Sequence, residues 1–243
     1  MSELLYLRDS TIMRARCILL ELRPVAQGYA AILDATPFYV KGGGQPSDTG
    51  TLIGANGQMV VAQVVRAPDG EVFHIGELPA GQLVPGDEML AAVDVDVRQR
   101  HARLHTAGEV ICAAMHELGL RWPVTTAGHV PSQAWVAFAT DLETRDVAEL
   151  AERLKAQFSA IVARDTPVVT RMNVSVEEAQ RLCPMDFETL ARKTEPIRLV
   201  SPIPGFSRPC MGAHLERTGQ VGAIAFRKFR LRAGELSISY DLA

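Results

Sequence analysis

The segment Arg100-His-Ala-Arg-Leu-His-Thr-Ala-Gly-Glu109 spaces His101, His105 and Glu109 four residues apart. In an α-helix that spacing projects all three from nearly one face, about 6 Å apart along the axis. Imidazole and carboxylate donors so placed can chelate one metal ion, and zinc takes them at about 2.0–2.2 Å. Alone, the pattern also fits a solvated polar helix face. Near the end of the chain, Cys210-Met-Gly-Ala-His214 follows a proline-rich turn over residues 201–209. A thiolate and an imidazole at this separation suit a tight loop around zinc, or equally a buried cysteine beside an incidental histidine. Zinc is normally four-coordinate, so two half-sites in one region together favour a metal centre.

A third segment is Lys41-Gly-Gly-Gly-Gln-Pro-Ser-Asp-Thr-Gly50. Consecutive glycines cost backbone entropy and bring no side chain to pack. They fit a loop whose backbone approaches something closely, its amides free to meet an anion or carbonyl, or else a hairpin tip. No Gly-Lys-Ser/Thr follows, so this is not a P-loop.

These residues need elements to position them. Short aliphatic runs at 17–22, 29–33, 58–65 and 89–97, separated by Asn-Gly, Asp-Gly and Pro-Gly turns, predict strands. In the last run Val93, Val95 and Val97 alternate with Asp94 and Asp96, the pattern of a half-buried strand. Several such strands predict a small barrel or sandwich. From Arg98, Leu104, Ile111, Met115 and Leu118 recur at helical spacing up to Gly119. A second helix carries the stripe Val147, Leu150, Ala151, Leu154, Phe158, Ile161 and Val162, and a third begins at the capping box Ser175-Val-Glu-Glu178. Strand-like runs lie at 134–139 and 168–173, and a final strand carries Leu236, Ile238, Tyr240 and Leu242. The expected class is α+β: a small barrel or sandwich first, then an α+β part, with the boundary near residues 95–100.

The chain has 243 residues, 47% hydrophobic and 22% charged, which excludes disordered, collagen-like and coiled-coil classes. With 25 basic against 28 acidic residues, no global basic field marks a nucleic-acid partner, so any such partner requires a local patch. Arg227-Lys-Phe-Arg-Leu-Arg232 is the best candidate for phosphate contacts, with Arg98, Arg100 and Arg103 as possible helpers. No apolar run approaches the roughly 20 residues of a membrane span, and the N-terminus lacks the apolar core of a secretion signal. A cytoplasmic location with reduced thiols is expected; Cys17, Cys112 and Cys183 read as small core residues, and His74, His116 and His129 as surface or satisfied polar groups.

The segment from Thr36 to Gly50 resembles the glycine-rich motif of alanyl-tRNA synthetase editing regions. His105-Thr-Ala-Gly-Glu109 is similar to that family's His-x-x-x-His helix. Cys210-Met-Gly-Ala-His214, followed by Thr218-Gly-Gln-Val-Gly222, is similar to its Cys-x-x-x-His motif and trailing Thr-Gly-x-x-Gly. The motifs occur in the family's order, and 243 residues leave no room for an aminoacylation domain. The resemblance is therefore to AlaX, the free-standing editing proteins, in their longer form with the glycine-rich domain; it implies a small β-barrel domain over 1–97 and an α/β two-layer editing domain over 98–243 with a zinc site.

Where the family has its second helix histidine, this chain has Glu109. Glutamate can ligate zinc, which gives the set His105, Glu109, Cys210 and His214. Alternatively Glu109 stays off the metal and leaves a position open for water, His101 substitutes from one turn earlier, or metal binding is weakened or lost. The resemblance implies an ATP-independent, zinc-dependent deacylase that hydrolyses mischarged tRNA for alanine, chiefly seryl- and possibly glycyl-tRNA. It assigns Gln45 to orienting water or carbonyl, and Gly43, Gly44 and Gln45 to the aminoacyl end. Thr125 and Thr126 are its candidates for the catalytic and serine-reading hydroxyls, with an ordinary loop or strand start as the alternative. Two other functions remain open: a tRNA-binding module without catalysis, and a metal-dependent hydrolase of small esters or amides.

Overall fold

Alternating apolar residues between tight turns fold the first hundred residues into strands, while the 3.6-residue period takes over beyond them. A computed structural model describes residues 2–183 and 197–243. They fall into two units, Met1–Arg100 and His101–Ala243.

The first unit contains β1 (Glu3–Leu4), β2 (Arg14–Val25), β3 (Gly28–Leu33), β4 (Ala35–Thr36), β5 (Gly50–Ile53), β6 (Gly57–Arg66), β7 (Val72–Gly81) and β8 (Glu88–Val93). Six of them close into a barrel in the order β2-β3-β7-β6-β5-β8, while β1 pairs with β4. Leu19, Leu33, Leu52, Met59, Val61, Val64 and Met89 are buried, the alternation along β6 slipping by one where its pairing with β7 shifts register after Val61.

The glycine-rich segment is a hairpin turn. Gly42 and Gln45 exchange backbone hydrogen bonds of 3.2 and 2.9 Å, and Gly43 and Gly44 take φ of +53° and +75°. These are the left-handed positions of a type I′ turn, which account for two of the glycines by conformation rather than by close approach. The turn is braced by the Ser47 hydroxyl, which accepts the Val64 N–H, and by Asp48, which accepts the Tyr39 N–H at 2.7 Å.

The strand expected over 89–97 ends instead at Val93, and helix α1 (Val95–Glu117) follows at once. Asp94 Oδ1 accepts the N–H groups of Asp96 and Val97, and its carbonyl accepts that of Arg98. Asp94 is thus an N-cap, and this outweighs the alternating pattern. Arg98, expected near phosphate, is wholly buried: its Nε donates to Asp48 Oδ2 at 2.9 Å, and its fork reaches the carbonyls of Ser10 and Pro37. It is therefore withdrawn from the phosphate candidates.

The second unit adds β9 (Val124–Gly128), β10 (Ala134–Ala139), α2 (Val147–Arg164), β11 (Val169–Arg171), α3 (Val176–Leu182), β12 (Leu199–Ile203), β13 (Phe206–Pro209), β14 (Ile224–Arg232) and β15 (Glu235–Leu242). A four-stranded antiparallel sheet runs β14-β15-β10-β9, and a three-stranded one β11-β12-β13. One core joins Leu104, Ile111 and Met115 of α1 to Leu154, Phe158 and Ile161 of α2 and to Val136, Phe138, Leu236 and Ile238 of the larger sheet. At α3, Ser175 Oγ accepts the Glu178 N–H, but the Glu178 carboxylate pairs with Arg171 rather than returning to the cap. From His101 to Met115 every residue of α1 except Arg103 is buried, His101, His105 and Glu109 included. A solvated polar face is thereby excluded.

Candidate metal centre

His105 and Glu109 project from one face of α1, and the loop after β13 brings Cys210 and His214 to meet them. The donor atoms of these four residues lie within 4.8 Å of one another, all buried. Cys210 Sγ is 3.3 Å from His105 Nε2 and 3.2 Å from His214 Nε2. Glu109 Oε1 is 4.0 Å from His105 Nε2. A tetrahedron with bonds of about 2.0–2.3 Å has edges of about 3.3–3.6 Å; the two distances from Cys210 Sγ match that range, Glu109 Oε1 stands farther out, and the group could hold a metal ion. His101 is buried one turn earlier and is not among the four donors.

Their surroundings hold these side chains in place. His214 Nδ1 lies 3.4 Å from the Thr106 hydroxyl, which also accepts the Leu215 N–H. The buried Arg198 donates to the carbonyls of Cys210 and Gly212 at 2.7 and 3.0 Å, which fixes the loop. Gly212 has no room for a side chain, because a Cβ there would lie 2.1 Å from the His105 ring. His129 stacks on His105, with ring centres 4.0 Å apart. Tyr240 donates its hydroxyl to the Leu104 carbonyl, leaving its oxygen to accept the His129 Nδ1–H at 2.8 Å. His129 in turn occupies the space that a Cβ on Gly108 would fill.

Burial sets the protonation. It holds the His105 and His214 imidazoles well below the usual range, aided by neighbouring imidazoles and arginines, so both are neutral and carry a lone pair. Burial, with the Glu109 charge adding to it, pushes the Cys210 thiol up to about 12. A divalent cation reverses that logic, since it favours the thiolate. Thiolate and carboxylate would then match its two positive charges.

The other sequence candidates lie elsewhere on the chain. Gly43 and Gly44 are exposed at the turn, whereas Gln45 is 2% exposed. Thr125 and Thr126 lie on β9 and are exposed, and the Thr125 hydroxyl donates to Glu235 at 2.6 Å. The basic run forms β14, an edge strand with Lys228, Arg230 and Arg232 exposed and Arg227 paired to Asp241. Arg100 is exposed, and Arg103 donates to the Val221 carbonyl.

Sequence reasoning did not single out Arg198, Arg208 or Thr106, and it left His129 without a role. Only Gly108 and Gly212, which lie inside the two motifs, carried a signal, because a glycine between ligand residues admits a ring where a Cβ would stand.

A family model described as tRNA synthetases class II (A) matches residues 13–97. The chain is 26% identical over 241 residues to the alanyl-tRNA editing protein AlaX-L of Pyrococcus horikoshii, covering 97% of this chain and 56% of that protein. It is 31% identical over 201 residues to the alanine–tRNA ligase of Bordetella pertussis, covering 81% of this chain and 22% of the ligase. It is 30% identical over 236 residues to the alanyl-tRNA editing protein AlaX-M of Saccharolobus solfataricus, covering 94% of this chain and 93% of that protein. The chain thus spans about half of the first relative, under a quarter of the second and nearly all of the third.

Proposed function

Because this chain belongs to the AlaX family of alanyl-tRNA editing proteins, we propose that it hydrolyses the ester joining a wrong amino acid to alanine-specific tRNA. Serine is the first substrate of this reading and glycine the second. A synthetic site sized for alanine rejects such close analogues poorly by binding alone, so a separate hydrolytic site is required. The observation that supports this reading is the buried group of His105, Glu109, Cys210 and His214 in a chain of this family.

These four residues would hold zinc, and bound zinc supplies Lewis acidity toward an ester carbonyl or water. Four protein donors favour an ion that anchors and shapes the pocket over one that keeps a position open. The same reading gives the Gln45 amide the task of orienting water or carbonyl, and the turn at Gly43 and Gly44 the task of meeting the aminoacyl end. It gives Thr125 a catalytic hydroxyl and Thr126 the reading of the serine hydroxyl, Thr125 exchanging its bond to Glu235 for one to substrate. Exposed Lys228, Arg230 and Arg232 on β14 are the phosphate contacts of this reading, and the cytoplasm, where tRNA is charged, is its location.

The test is release of serine or glycine from mischarged tRNA by the purified protein. Turnover that is abolished by chelation and by Cys210→Ala is expected. Tight tRNA binding without turnover overturns the enzymatic reading, and turnover of small esters without tRNA affinity overturns the substrate.

A further inference from the structure

Arg208 lies on β13, outside every motif, yet its guanidinium is buried against the proposed centre. Its Nη1 is 3.4 Å from Glu109 Oε2 and donates to Cys112 Sγ at 2.9 Å. Glu109 and Cys112 are three residues apart on α1 and so share a face, and the arginine touches the helix at both. The two oxygens of Glu109 therefore have different neighbours: Oε2 faces the guanidinium, while Oε1 faces the His105 Nε2 donor.

A carboxylate that grips a cation with both oxygens must turn both toward it. The Arg208 guanidinium, anchored on Cys112 Sγ and paired with Oε2 at 3.4 Å, opposes that rotation, because turning Oε2 away would leave a buried cation farther from its carboxylate. We propose that Arg208 is a positioning residue that restricts Glu109 to donating one oxygen to the metal, so that the centre stays four-coordinate. The inference rests on the metal-binding reading above and concerns the geometry of the bound ion. Without Arg208 the Glu109 carboxylate would be free to offer both oxygens, and a bound ion would gain a fifth donor, a number that some zinc sites reach.

The test loads the protein with cobalt(II) in place of zinc and reads its visible absorption and its coordination number by X-ray absorption. The wild-type chain is expected to show the intense bands of four-coordinate cobalt. Arg208→Met, of similar length but without donors, is expected to weaken those bands several-fold and raise the coordination number by one. In a Glu109→Gln background, where an amide offers only one oxygen, Arg208→Met is expected to leave the spectrum unchanged. If Arg208→Met does not fold, Arg208→Gln, too short to reach Oε2, carries the same test. Cobalt bound with the same spectrum with and without Arg208 overturns this inference alone, whereas a wild-type chain that binds no cobalt and no zinc overturns the metal reading and this inference with it.

Discussion

Gly212 is the position at which one added methyl group tests the centre most directly. A Cβ built there falls 2.1 Å from His105 Cε1 and 2.3 Å from Nδ1, where ordinary contact begins at 3.4 Å. Gly212→Ala therefore forces the ring and the loop apart by about 1.3 Å to restore van der Waals separation. Both sides carry donors: His105 stands on one, and Cys210 and His214 flank the glycine on the other. Neither can yield without opening the donor set, and metal sites tolerate distance errors of only about 0.2 Å. The zinc affinity of Gly212→Ala should fall at least about 10–100-fold, the range for lost ligand support. Competition against a chromophoric chelator at fixed pH measures it. Gly205→Ala is the control, because φ there is +78° but a Cβ meets nothing within 4 Å, so it strains the backbone without moving a ring. Wild-type affinity in Gly212→Ala, or an equal loss in Gly205→Ala, would refute the steric argument.

Three further outcomes are expected. His74 is fully buried between the Thr36 hydroxyl and the Ala31 carbonyl, and burial lowers its pKa from 6.5 to about 4. The unfolded chain then takes up this proton first, so the contribution is complete above about pH 6.5 and is lost as pH falls toward 4, about 3 kcal/mol in all. Denaturant titrations across that window should show a steeper pH dependence for the wild type than for His74→Gln, and equal slopes would contradict it. Asp48→Asn leaves the wholly buried Arg98 without its carboxylate and should cost about 3–5 kcal/mol, more than replacing both residues by leucine. A double-mutant denaturation series decides this. Tyr240→Phe removes the acceptor of His129 and the donor to the Leu104 carbonyl and should cost about 1–3 kcal/mol by thermal or chemical unfolding.

The barrel strands β2, β3, β6 and β8 and the stripe of α2 are legible in the residue order, since a period of 2 or 3.6 is a local property. The end of β8 is misread for the same reason: Val93, Val95 and Val97 alternate as a strand does, and only the bonds that Asp94 accepts from the amides of Asp96, Val97 and Arg98 show a helix start. The glycines at 43 and 44 are legible as unusual, while their reason, a left-handed pair in a tight turn, is a matter of backbone angles. Arg98 illustrates the opposite error. Its charge suggests solvent or phosphate, and burial beside Asp48 assigns it a different partner.

The spacing of His105 with Glu109, and of Cys210 with His214, determined two candidate half-sites, because helix pitch and a short loop fix distances between near neighbours. That the two meet was decided by packing across about a hundred residues of intervening chain, which no local period encodes. The same packing chose Arg208, Arg198, His129 and Tyr240 as their supports. A ligand is recognised by its own chemistry, but a supporting residue is defined only by what it touches, and contact between distant parts of a chain exists only after the hydrophobic core has brought them together.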